Sequence, residues 1–157
     1  MGAYVAVVGA GRASPDEERA AEAVGRGLAE AGAVVVCGGL GGVMEAACRG
    51  AKAGGGTTLG ILPGTARSEA NPFVDVAVAT GLGELRNGLV VRAADALVAV
   101  GGEFGTLSEI ALALKTGKPV VALGGWELAR AGEPVDAVTR AASPQDAVAR
   151  VLAACAP

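Results

Sequence analysis

Val100-Gly101-Gly102-Glu103-Phe104-Gly105-Thr106-Leu107-Ser108-Glu109 is the stretch from which the rest of the chain can be read. An apolar run at 96–100 enters a glycine turn, and an apolar-periodic run at 107–114 leaves it. That order predicts a buried strand, a tight turn and the N-terminus of a helix. Glycine allows the positive φ angles of such a turn and lets a ligand approach the backbone closely. The first helical N–H groups lack intrahelical partners and sit at the positive end of the helix dipole, so a phosphate fits there. Glu109 projects from the first turn of that helix and fits two roles. As a reactive group it faces the same electropositive spot. As a plain cap it completes a Thr106-x-x-Glu109 capping box, a habit the chain repeats at Ser14-Pro15-Asp16-Glu17 and Ser143-Pro144-Gln145-Asp146. A cap requires none of Gly101, Gly102 or Gly105, which favours a ligand-binding turn.

Composition narrows the chemistry. The 157 residues suit one domain with one real core. Hydrophobic residues make up 52% and charged ones 18%, so the chain is globular rather than disordered. Aromatic residues make up only 3%, which leaves Val, Leu, Ile and Ala to build the core. The net charge of −3 gives no basic footprint for nucleic acid. Histidine is absent, and with it any Ser–His–Asp triad and every imidazole metal ligand. Cys37, Cys48 and Cys155 are odd in number and far apart, with no CxxC pair, and read as small buried hydrophobes in a reducing compartment. No metal and no cofactor for folding is expected. The N-terminus has no basic leader and no myristoylation pattern, and no apolar run reaches about 18 residues. A cytoplasmic protein with no membrane partner is the expectation.

Strands and helices then alternate. Residues 3–8 predict a strand that runs into Gly9-Ala10-Gly11-Arg12-Ala13-Ser14 and a helix over 16–31. This is the opening of a nucleotide-binding βαβ unit, although Ser14 occupies the third glycine position and no acidic residue follows the next strand. Cys37-Gly38-Gly39-Leu40-Gly41-Gly42 is a second glycine-rich loop between a strand (33–36) and a helix (43–53). Two such loops on successive parallel strands face one sheet edge, where ligands of this architecture lie. A third strand covers 58–62, and 63–73 reads as a turn-rich exposed loop, either an ordinary surface loop or the chain's best candidate for a lid or specificity element. A short strand at 74–79 and a helix over 83–94 follow. Arg86 falls near the start of that helix, where the dipole end is already positive, so a basic residue there suggests an anion nearby. Later segments give a strand at 120–123, a loop at Gly124-Gly125-Trp126 and a capped helix over 143–154. The alternation predicts one α/β domain over residues 1–157, a mainly parallel sheet with helices on both faces.

Gly38-Gly39-x-x-Gly42-Val43-Met44, Leu59-Gly60-Ile61-Leu62-Pro63, Arg86, Ala94-Asp95-Ala96 and Gly101-Gly102-x-x-Gly105-Thr106-x-x-Glu109 together resemble the Lonely guy superfamily, long mislabelled as lysine decarboxylases. The Arg86-Asn87 pair and the short chain are most similar to its molybdenum cofactor carrier branch. The resemblance implies a Rossmann-like subunit that forms a homodimer or homotetramer, with a site near the subunit interface. It places Arg86 and Glu109 on the catalytic positions of enzymes that hydrolyse the N-glycosidic bond of nucleoside 5′-monophosphates. It places Gly102 to Thr106, with Glu103, Phe104 and Gly105 between them, on the phosphate-cradling loop. Gly11, Arg12, Gly38, Gly39, Gly42, Met44, Asn87 and Gly101 complete the expected ligand set. The family's Pro-Gly-Gly is Val100-Gly101-Gly102 here, its Lys after the catalytic Arg is Asn87, and its Glu before the final Glu is Ser108. Loss of a cation and a carboxylate favours binding over bond cleavage. The expected function is therefore a carrier of a phosphorylated small molecule, the molybdenum cofactor first, or a nucleotide-binding protein. The alternative is a nucleoside monophosphate phosphoribohydrolase releasing base and ribose 5-phosphate.

Overall fold

The computed structural model describes residues 2–157. Six strands, β1 (Tyr4–Gly9), β2 (Val34–Cys37), β3 (Thr58–Leu62), β4 (Val76–Ala79), β5 (Ala96–Val100) and β6 (Val120–Leu123), form the sheet foreseen from the apolar runs. β7 (Ala129–Arg130) and β8 (Glu133–Pro134) make a small separate antiparallel hairpin, and β9 (Thr139–Arg140) joins the main sheet as a seventh strand. The order is β4-β3-β2-β1-β5-β6-β9, and every pairing in it is parallel. Among the described residues five α-helices cover it: α1 (Pro15–Glu30), α2 (Val43–Ala53), α3 (Asn87–Ala93), α4 (Phe104–Lys115) and α5 (Pro144–Cys155).

The central strands are apolar on both faces because helices cover both. Val5 and Val7 of β1 pack with Leu28, Ala47 and Val151 of α1, α2 and α5. Ala6 and Val8, pointing the other way, pack with Val90 and Ile110 of α3 and α4. All five residues of β5 are buried. Such strands read as continuous rather than alternating apolar runs. With few aromatics, close approach replaces bulk. A Cβ on Gly25 of α1 would come 2.0 Å from the Ala47 carbonyl oxygen, and one on Gly50 of α2 would come 1.9 Å from that of Glu22. The two helices therefore touch backbone to backbone.

The ends of the elements follow local chemistry. Ser14 forms the foreseen capping box, its Oγ accepting the Glu17 amide at 3.2 Å while Glu17 accepts the Ser14 amide at 2.9 Å. Ser143 caps α5 by accepting the Asp146 amide at 3.0 Å. Thr106 does not cap anything: α4 begins at Phe104, Glu103 is its cap residue, and no side chain caps that end. The helix expected over 83–94 is a 3₁₀ turn, Gly83–Arg86, running into α3. Lys118 closes the far end of α3, its Nζ donating to the carbonyls of Val91 (2.8 Å), Arg92 (3.2 Å) and Ala94. β4 begins at Val76, two residues later than its apolar pattern suggests, because Asp75 turns back to accept the Thr58 and Lys52 hydrogen bonds.

Gly50→Ala should fold with a loss of about 1–3 kcal/mol, the usual cost of overpacking, and a drop in Tm of about 2–4 °C for each kcal/mol. Thermal unfolding followed by circular dichroism checks this. An unchanged Tm would mean that the α1–α2 contact is not as close as described.

Candidate functional site

β1 and β5 are neighbours in the sheet, yet the chain leaves β1 toward β2 on one side and leaves β5 toward β6 on the other. The loops after them therefore diverge and leave a crevice at the carboxyl edge, the place where open α/β sheets bind ligands. A cleft of about 430 Å3 occupies it, within the usual range for small-molecule sites of about 300–1,000 Å3. A larger groove of about 600 Å3 between α1 and α5 has an open, mixed-charge wall of Arg19, Glu22, Arg26 and Glu30, with none of the glycine loops near it.

Ten of the residues singled out from the sequence meet in the cleft: Gly11, Arg12, Gly38, Met44, Arg86, Asn87, Glu103, Gly105, Thr106 and Glu109. The other five support it from outside. Gly42 has φ +62°, and a Cβ there would strike the Ala10 carbonyl oxygen at 2.2 Å, so this glycine locks the first two loops together. Gly39 abuts Leu62, Gly101 abuts Glu17, and Gly102 abuts Thr106. Phe104 turns outward, 76% exposed, with its ring 5.5 Å from that of Trp126. Loop 63–73 lines no part of the cleft. Asn71 instead ties it to the second glycine loop through the Gly39 and Leu40 carbonyls, both at 2.9 Å. Ala10 and Leu40 line the cleft unforeseen, although both lie inside glycine loops that the sequence had marked.

Arg86 is buried at the junction of the 3₁₀ turn and α3. Its Nη2 donates to the Gly38 carbonyl at 3.3 Å and its Nη1 to Asn87 Oδ1. Its Nε is buried with no partner, the one such side-chain atom among the described residues. A buried guanidinium N–H without an acceptor is costly, so an incoming acceptor that reached it would relieve that cost. Asn87 and Ser108, two of the three departures from the Lonely guy pattern, touch each other: Asn87 Nδ2 donates to Ser108 Oγ at 3.0 Å, and Ser108 Oγ donates to the Gly105 carbonyl at 2.6 Å. Two neutral, hydrogen-bonded side chains stand where the resemblance puts a cation and a carboxylate.

Glu109 is 6% exposed. It makes none of the hydrogen bonds or ion pairs found among the described residues, so it is not a cap. Burial raises its pKa to about 7, with the Arg86 guanidinium pulling the other way. Gly105 has open space on its Cβ side, the nearest atom being Asn87 Nδ2 at 4.0 Å. The uncapped start of α4, a half-satisfied guanidinium and a carboxyl near neutrality thus converge on one opening.

Residues 2–148 match the SLOG cluster4 family. The chain belongs to that family. Among solved structures, the molybdenum cofactor binding protein of the phototrophic bacterium Rippkaea orientalis superimposes with a TM-score of 0.87 at 34% identity, over 98% of this chain and 97% of that one. The molybdenum cofactor carrier protein of Chlamydomonas reinhardtii does so with a TM-score of 0.80 at 34% identity, over 96% of each chain. An Archaeoglobus fulgidus protein of unassigned function is 48% identical over 119 residues, 76% of this chain and 78% of its own. These likenesses agree with the Lonely guy-like resemblance and with its carrier branch. No helix among the described residues is long and apolar enough to cross a membrane.

The state of Glu109 has a measurable consequence. Between its ordinary value of 4.5 and about 7, the folded chain holds a proton that the unfolded chain has lost. Stability therefore falls as pH rises through this window. Glu109→Gln escapes the penalty and should exceed the wild type by roughly 1–3 kcal/mol at alkaline pH, with the gap closing near pH 4.5. Urea unfolding of both proteins across that range checks it. A gap independent of pH would refute the assignment.

Proposed function

We propose that this chain is a cytoplasmic binding protein for the molybdenum cofactor, holding its terminal phosphate at the start of α4 and against Arg86. The partnerless, buried Arg86 Nε beside an uncapped helix N-terminus is the observation that carries this reading. A phosphate would accept that N–H together with the first α4 amides, and charge-assisted bonds of this kind are the strong ones. The glycines facing open space, Gly11 and Gly105, let a pterin and its phosphate lie against backbone. The 34% identity to the Rippkaea and Chlamydomonas proteins supports the choice of ligand. The neutral Asn87–Ser108 pair suits holding rather than cleaving.

A second reading rests on Glu109. A buried carboxyl in the cleft, free of partners and with its pKa raised to about 7, is placed to meet an oxocarbenium-like charge or position water in N-glycoside hydrolysis.

One set of measurements separates them. The purified chain is incubated with molybdenum cofactor, freed of excess by gel filtration, and its retained pterin is read by fluorescence after oxidation. Arg86→Lys, which keeps the charge and loses the fork, should retain the ligand about tenfold less tightly. Gly105→Ala should match or exceed the wild-type Tm, since Ala outranks Gly in a helix by about 1 kcal/mol, yet bind more weakly. Equal retention by all three proteins would overturn the carrier reading. Release of ribose 5-phosphate from AMP, abolished in Glu109→Gln, would establish the hydrolase instead.

We also infer a homo-oligomer. Leu82, Leu85, Leu89 and Leu112 leave an exposed apolar face on α3, α4 and the turn before them, with Leu85 79% exposed next to Arg86. Such a patch marks an interface. Sedimentation equilibrium should give at least a dimer for the wild type and a lighter species for Leu85→Glu; a wild-type monomer would exclude it.

A further inference from the structure

Cys37 and Cys48, remote in sequence, are not independent space-fillers. Cys37 ends β2 and Cys48 lies within α2. Their Sγ atoms are 3.4 Å apart, and both residues are fully buried. The Gly39 amide donates to Cys37 Sγ at 3.3 Å. The Cys48 thiol is the larger influence lowering the Cys37 pKa, helped by that amide and by the Arg86 guanidinium and opposed by burial. The Cys48 pKa is raised, because Cys37 holds its proton and burial disfavours its charge. The Gly39 amide donor at its sulfur favours Cys37 as the attacking thiol of the pair. Met44 packs with the pair and also lines the cleft, so a flexible thioether lies between the sulfurs and the opening.

We propose that Cys37 and Cys48 form a modification site, at which a small hydroperoxide entering through the cleft converts the dithiol to an intramolecular disulfide that displaces the Gly38 carbonyl from Arg86. The Cys37 sulfur attacks the terminal peroxide oxygen, the O–O bond breaks, and hydroxide (or alkoxide) leaves with a proton from the site. Cys37 is now a sulfenic acid. The Cys48 sulfur then attacks it, the S–O bond breaks, and the Cys48 proton leaves with the hydroxyl as water. Two thiols are oxidised by two electrons and one peroxide is reduced. The 3.4 Å separation must contract to a bond, which is about 2.05 Å long. Contraction that draws Cys37 toward Cys48 carries Gly38, the next residue along, with it. Its carbonyl accepts Arg86 Nη2 at 3.3 Å, and its backbone is so close to Arg86 that a Cβ would come 2.6 Å from Nη2. The strain of closure passes to the guanidinium. This effect on ligand rests on the carrier reading; the disulfide does not.

The test treats the reduced full-length chain, in its native fold, with a stoichiometric amount of hydrogen peroxide. Intact mass should fall by about two daltons, the two thiol hydrogens, and a non-reducing peptide map should link Cys37 to Cys48. Cys155→Ala should behave as wild type. Cys48→Ala should stop at a dimedone-reactive Cys37. Oxygen addition without a link, a link through Cys155, or no reaction overturns the proposal. Cofactor retention by the oxidised chain should drop roughly threefold or more through loss of one Arg86 partner, and dithiothreitol should restore it. Equal retention in both redox states overturns the coupling to Arg86. Absence of retention in the reduced chain counts against the carrier reading and leaves the cross-link result standing.

Discussion

The pairing of β1 with β5, in register from Val5↔Ala96 to Gly9↔Val100, is the constraint on which the cleft depends. Both strands are buried on both faces, so their side chains alternate between two cores and neither strand can slip by one residue without exchanging them. Gly9 makes the end of this register possible. A Cβ there would come 2.6 Å from the Val100 carbonyl oxygen and equally close to Val43. The loops that follow the two strands can part only because their helices lie on opposite faces of the sheet.

Within that crevice, a guanidinium and a carboxyl are buried near each other without forming an ion pair. A buried pair in good geometry would satisfy both groups and leave little for a ligand. Here each group keeps unused capacity: Arg86 through its Nε, and Glu109 through a proton that comes and goes near neutrality. Asn87, itself bonded to Ser108, holds Arg86 from one side without adding charge, and Gly38 holds it from the other. The site is rigid in its framework and uncommitted at its centre.

The strands, helices and their order were legible because buried parallel strands are unbroken apolar runs and the turns between them are rich in glycine. Two kinds of feature were not. β9 is two residues long and exposed, and it exists because its neighbour β6 offers an edge rather than through any pattern of its own. The role of Thr106 and Glu109 was open in sequence, since Thr-x-x-Glu spells a cap in one register and a site in another. The helix begins three residues earlier than the cap requires, which moves Glu109 into the interior. The glycine pattern found the loops but could not separate glycines that face the cleft, such as Gly105, from those that hold the loops in place, such as Gly42. Both types are invisible to spacing alone. The role of loop 63–73 was open in sequence for a related reason: turn-forming residues describe an excursion of the chain, not what its tip rests on.

The indole of Trp126, alone of its kind in the chain, donates its Nε1 hydrogen to the Glu103 carbonyl at 3.1 Å and lies against the ring of Phe104. Arg140 in turn grips the Gly124 and Trp126 carbonyls. The single indole fluorophore is thereby wired to the backbone that opens α4. Anything that settles there, or any movement of that turn, is reported in the emission of one residue, with no label added and no second chromophore of its type to blur it.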